Sequence, residues 1–148
     1  MSDLLYACIQ LVHNLGAAAA VGSPAAAWWL VLTGQEFAEF PGCREATGTT
    51  QRRLAWFALL AWSTQIASGA AFGATTYYLK HQLPELTGVA LAALGVKAAC
   101  AVSSLALALL YLRAAPRWSA PVQLRVWQTL FALGLTALMS AAFLRWYA

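Results

Sequence analysis

Four stretches of this chain are almost free of charge, and their lengths decide what it can fold into. Residues 4–32, 54–79, 86–112 and 126–144 are 29, 26, 27 and 19 residues long and contain a single Lys or Arg between them, Lys97, and no Asp or Glu. A hydrocarbon core about 30 Å thick is crossed by about 20 residues of helix, so each stretch predicts a transmembrane helix. The remaining segments are short, which predicts one domain over residues 1–148: an all-α, up-down-up-down bundle of four helices. Composition points the same way. Apolar residues make up 61% and charged residues 9% of the chain, against roughly 25% charged in soluble domains. A cytosolic enzyme is excluded, because so few charges cannot cover a water-facing globule.

Orientation follows from the distribution of Lys and Arg, which accumulate on the cytoplasmic side. Arg44, Arg52 and Arg53 flank the first connection and Arg113, Arg117 and Arg125 the third, whereas the other side of the bundle offers only Lys80 and Arg145. Both termini are therefore expected in the periplasm. Met1, Ser2 and Asp3 provide no basic region before an apolar run too long for a signal peptide, so the first helix is expected to be retained. Trp28, Trp29, Trp56, Tyr111 and Trp127 fall at the expected cytoplasmic ends, and Tyr6, Tyr77, Tyr78, Trp146 and Tyr147 at the outer ends. They read as aromatic belts that anchor the bundle. The net charge of +4 resides beside helix ends, with no basic cluster or aromatic platform for nucleic acid.

Small residues mark faces suited to packing. Gly69 and Gly73 form a G-x-x-x-G pair in the second helix, which predicts a tight contact within the bundle or with a second subunit, as in a homodimer or larger membrane complex. Gly16, Ala17, Ala20 and Pro24 line one side of the first helix. Cys8 and Cys100 lie at different depths and Cys43 falls in the first connection, so the three thiols are read as unpaired. No paired His or Cys spacing typical of a metal site occurs, and the soft copper ligands are limited to Met1 and Met139 beyond the cysteines.

The chemistry is concentrated in two ionisable residues inside the spans, His13 and Lys97, because an ionisable group at that depth costs at least about 2.5 kcal/mol. Counted from the outer helix ends, His13 is roughly 14 Å deep, Lys97 roughly 17 Å and Gln65 roughly 21 Å. With Asn14 and Ser68 they predict one polar pocket in mid-membrane. Asp3, Glu36, Glu39, Glu45 and Glu85 all fall outside the spans, leaving no paired carboxylates for acid-base catalysis and no acid for Lys97. Its partner is then Gln65 or a serine if the amine is neutral, or an external anion: a haem propionate, a lipid phosphate, an anionic substrate or another subunit's carboxylate. His13 is either a core imidazole bonded to Asn14 or a carbonyl, or a metal ligand, for copper or as the axial ligand of b-type haem. His81 falls in the outer connection and offers no second axial ligand. The pocket reads as a binding site more than a catalytic one.

The early histidine within Leu11, Val12, His13, Asn14, Leu15 and Gly16, the pair Arg52 and Arg53 before the second helix, Gly69, the sequence Gly95, Val96, Lys97 in the third helix, and Arg113 together resemble the copper resistance protein D (CopD-like) membrane domain. That resemblance spans nearly the whole chain and implies a bacterial inner-membrane protein linked to copper handling. The HemJ-type protoporphyrinogen oxidase family is similar in length, four-helix plan and its His and Lys positions. Its aromatic and basic signature after the histidine is replaced here by Ala17 to Ala20. The remaining alternatives are an accessory or assembly subunit of a respiratory or electron-transfer complex, and a haem-binding redox protein with His13 as axial ligand.

Overall fold

The computed structural model describes residues 2–36, 39–40, 42–81 and 88–147. They form four helices: α1 (Ser2–Glu36), α2 (Cys43–Lys80), α3 (Gly88–Ala114) and α4 (Ala120–Tyr147), with a single 3₁₀ turn, Ala115–Arg117, between the last two. Three of them, over Asp3–Gly34, Gly88–Arg117 and Ala120–Trp146, are long and apolar enough to cross a membrane. The exception to the four spans expected is α2. With 38 residues it is the longest helix, about 57 Å at 1.5 Å per residue, but Gln65, Ser68, Thr75 and Thr76 dilute its apolar character.

Two helix boundaries differ from those expected. The second helix starts at Cys43 rather than residue 54, so Cys43, Arg44, Arg52 and Arg53 are helical instead of lying in a connection. Charge marks where a chain leaves the hydrocarbon, whereas a helix ends only where its backbone geometry breaks. Glu45, Ala46, Gln51, Arg52 and Arg53 are all good helix formers. What ends the helix instead is Gly42, whose φ of +83° is readily adopted only without a Cβ. The fourth helix likewise starts at Ala120 rather than 126, placing Arg125 within it. Its first turn is secured by the Ser119 carbonyl, which accepts from the backbone N–H groups of Val122 (3.0 Å) and Gln123 (3.1 Å). Pro121 is tolerated there because its missing N–H is an orphan position in any helix. The expected start of the third helix at residue 86 and the connection before it, including Glu85, lie outside the described residues.

Side-chain contacts give the arrangement of the helices. Tyr6 of α1 meets Thr76 of α2, Gly16 meets Thr64 and Gln65, and Gly34 meets Thr47; as one helix advances the other recedes. Across the other hairpin, Tyr111 of α3 bonds Gln123 of α4, and Cys100 and Ala101 cluster with Ala137. The most extensive packing is α1 on α2 and α3 on α4, with α1 on α4 and α2 on α3 closing the ring. Chain order therefore runs around the bundle, leaving α1 diagonal to α3.

Within the chain the tight glycine contacts lie at Gly16 and Gly134 and not at the G-x-x-x-G pair, which leaves that pair the alternative of a second subunit. A Cβ on Gly69 or Gly73 would meet nothing within 4 Å, whereas one on Gly16 would fall 2.9 Å from Gln65 Nε2 and one on Gly134 would fall 3.0 Å from Val21 Cγ2. Spacing identifies a face with small residues but not the side of the bundle to which it turns. Gly16 sets the α1–α2 approach and Gly134 the α1–α4 approach.

The core has two layers. One is built on Ala20, Ala61, Trp62, Cys100, Ala101 and Ala137, and the other, toward the end holding the first and third connections, on Ala27, Val31, Ala55, Tyr111, Trp127 and Leu130. Tyr111 and Trp127, expected in an aromatic belt, are 2% and 0% exposed. Tyr111 donates a hydrogen bond of 2.6 Å to Gln51 Oε1, and Gln123 Nε2 donates to the carbonyls of Ala115 (3.0 Å) and Trp118 (3.1 Å). These residues tie α2, the turn after α3 and α4 together from within. Trp29, Trp56, Tyr77, Tyr78 and Trp146 do lie on the exterior, where amphipathic rings suit a membrane interface. Leu11, Leu15, Leu60, Leu91, Val102 and Met139 are similarly exposed, a surface compatible with lipid rather than water.

Candidate functional site

His13, in the first half of α1, is the hub of the site. One ring nitrogen, Nδ1, lies 2.8 Å from Ser68 Oγ of α2, and the other, Nε2, lies 3.0 Å from Lys97 Nζ of α3. Ser68 donates its own hydroxyl proton to the Thr64 carbonyl at 2.6 Å, as serine commonly does in apolar helices. Its oxygen then accepts from Nδ1–H, which assigns the lone pair to Nε2, and the Lys97 amine donates to it. The His13–Lys97 bond joins α1 to α3 across the diagonal of the ring, through the centre of the bundle.

Helix α2 supplies a second hold on the same turn. Gln65 Nε2 donates to the His13 carbonyl, and the absence of a side chain at Gly16 is what lets α2 come this close. Phe72 meets the imidazole edge-on, with ring centroids 6.0 Å apart. Asn14 points elsewhere: its Oδ1 accepts from Gln10 Nε2 at 2.7 Å. Thus Lys97 is bonded to His13 rather than to Gln65 or a serine, and His13 is bonded to Ser68 and Lys97 rather than to Asn14.

These side chains border a cavity of about 860 Å³ between α1 and α4, backed by α2 and α3. Its volume lies toward the top of the range of roughly 300–1,000 Å³ typical of small-molecule sites. Gln10, His13, Asn14, Gln65, Lys97 and Arg145 supply the polar lining; Ala17, Ala20, Val21, Trp62, Leu138 and neighbouring small residues supply the apolar one. Arg145 was not singled out in the sequence, since a lone arginine beside a terminus is ordinary for a membrane helix; only its position on the α4 face shared with Ala137, Leu138 and Ala141 assigns it here. No described Asp or Glu lines the cavity. Two basic side chains, Lys97 and Arg145, thus border a largely apolar space with no described Asp or Glu beside them.

A metal centre has less support in the donor set. Among the described residues no group of three or more His, Cys, Asp or Glu side chains is placed to hold an ion. His13 is the one imidazole in the cavity lining, Cys8 is exposed, and Cys100 is buried in the core. His81 lies at the carboxyl end of α2, its φ of +53° and its N–H bond to the Tyr77 carbonyl closing that helix. It takes no part in the site.

Comparison with protein-family models, with curated proteins and with solved structures finds no match to this chain. The functional reading therefore rests on the site itself.

Proposed function

We propose that this protein is a multi-pass protein of the bacterial inner membrane, with both termini periplasmic, that binds an anionic amphiphile in the cavity beside His13 and Lys97. The observation that carries this reading is the pairing of two cations, Lys97 and Arg145, with an apolar space and no described acid. A basic group kept at the depth of Lys97 favours an anion that is itself at home in lipid. Haem is the member of this ligand class that also engages the imidazole. The residues fit it in charge and size: Lys97 and Arg145 would hold its carboxylates, and His13, whose Nε2 now faces the Lys97 amine, would hold its iron. Bound haem supplies a one-electron couple, and this chain's part is to hold it, orient it and keep water from it.

The test is a visible spectrum and a haem and metal analysis of protein purified from its own membrane. We expect a Soret band in the wild type, its loss in His13→Ala and its weakening in Lys97→Met, which removes charge and keeps volume. Protein that carries no haem and takes up neither haem nor any other anionic amphiphile overturns the proposal. Copper handling, implied by the CopD-like resemblance, requires donors beyond His13 from a second chain and predicts copper lost only in His13→Ala. The accessory-subunit reading draws on a different observation, the outward-facing Gly69 and Gly73, a small-residue face available to a neighbouring helix.

A further inference from the structure

The cavity has a direction. Its inner end is closed where α1 and α4 touch, with Gly134 against Val21 and the Ala20 carbonyl. From that contact His13 lies eight residues back along α1 and Arg145 eleven residues on along α4, about 12 Å and about 17 Å toward the end that holds the termini. The two cations are therefore about one helical turn apart in depth, Arg145 at the mouth and Lys97, at the level of His13, just beneath it. Gln10 and Asn14 belong to the same upper layer. Below them the lining is mainly apolar, with Ala17, Ala20, Val21, Leu138 and Trp62, itself 2% exposed; the polar exception is Gln65, whose Nε2 is engaged by the His13 carbonyl.

We infer that the ligand sits head outward: an acid head group between Arg145 and Lys97, and an apolar body reaching down to the Val21–Gly134 contact, whose position limits its length. This refinement rests on the reading of the cavity as a site for an anionic amphiphile. It gives Arg145 the role of selecting an acid over a neutral head, and it makes Ala17 and Leu138, which line the lower part, the residues that set how long a body fits. Charge selection and length selection are then separable, because they reside in different layers. A ligand lying the other way would place its acid among alanines and its apolar end against Lys97, with the head desolvated and unpaired.

The experiment uses the full chain in a non-ionic detergent and reads thermal protection by two matched series, alkyl carboxylates from decanoate to palmitate and the corresponding alkyl phosphates, with the alcohols as neutral controls. The two acid series distinguish a fatty-acid head from a phospholipid-type one. Arg145→Gln is expected to weaken all acids by a similar factor, several-fold, and to leave the alcohols unchanged. Ala17→Leu should move the best-protecting chain length down, and Leu138→Ala should move it up. Identical length profiles in both floor variants, or an Arg145→Gln variant that still prefers acids as the wild type does, overturns the inference. If haem binds while no acid competes with it, the head-outward assignment falls and the cavity reading stands; if neither haem nor any acid binds, both fall.

Discussion

Gly16 and Gly69 are chemically identical residues with opposite consequences for the bundle. At Gly16 a side chain would collide with Gln65 and Thr64, whereas at Gly69 it would extend into open space. Gly16→Leu is expected to destabilise the protein by about 1–3 kcal/mol through overpacking, read as a lower unfolding midpoint in detergent. Gly69→Leu should leave the midpoint within about 0.5 kcal/mol of wild type. A reversed order would place the G-x-x-x-G pair at the tight contact after all. Tyr111 supplies a second contrast. Tyr111→Phe keeps the ring packed against Trp127 but leaves Gln51 Oε1 buried without its donor, a loss expected to be about 1–3 kcal/mol; an unchanged midpoint would show that Gln51 finds another partner. The polar residues of the site were legible from the sequence because a histidine and a lysine among apolar residues stand out, and their depths could be counted. Which atoms bond was not legible. The helical rotation that brings Nε2 toward Nζ, and Asn14 away, depends on where Gly16 lets α2 settle.

At the scale of elements, α2 differs most from what hydropathy suggests. Apolar runs locate the part of a helix in contact with hydrocarbon, which is why the cores of all four helices could be read directly. They carry no information about helix that continues beyond the apolar run, such as Cys43 to Arg53 at the start of α2. The fold class followed from charge-free length, but the extent of α2 followed from helix-forming residues and the break at Gly42. This continuation offers a check on orientation. If the arginine-rich end is cytoplasmic, Cys43 should resist an impermeant thiol reagent in intact spheroplasts and react after permeabilisation. Labelling in intact spheroplasts would invert the topology. Reaction should be partial even then, because Cys43 is only half-exposed.

For the whole molecule, a ligand that binds the folded bundle and not the unfolded chain adds stability by mass action, about 2.7 kcal/mol at a hundredfold excess over its Kd. Haem, or the best acid of the series, should raise the unfolding midpoint accordingly. Its removal should return the midpoint to the ligand-free value, and Lys97→Met should show a smaller rise on the same addition, about 1.4 kcal/mol if the Kd is tenfold weaker. A rise of equal size in Lys97→Met would place binding elsewhere. The diagonal bond has a further consequence, for biosynthesis. Lys97 is made 84 residues after His13, and the two belong to different hairpins that meet only when the ring closes. Until then a newly inserted α3 carries its amine into lipid with no partner on its own hairpin, and α1 holds an imidazole with one nitrogen unclaimed. Closure of the ring is thus the moment at which the two polar groups pair, so a quality-control protease that senses unpaired polar groups in the membrane could tell a half-assembled chain from a finished one by this single contact.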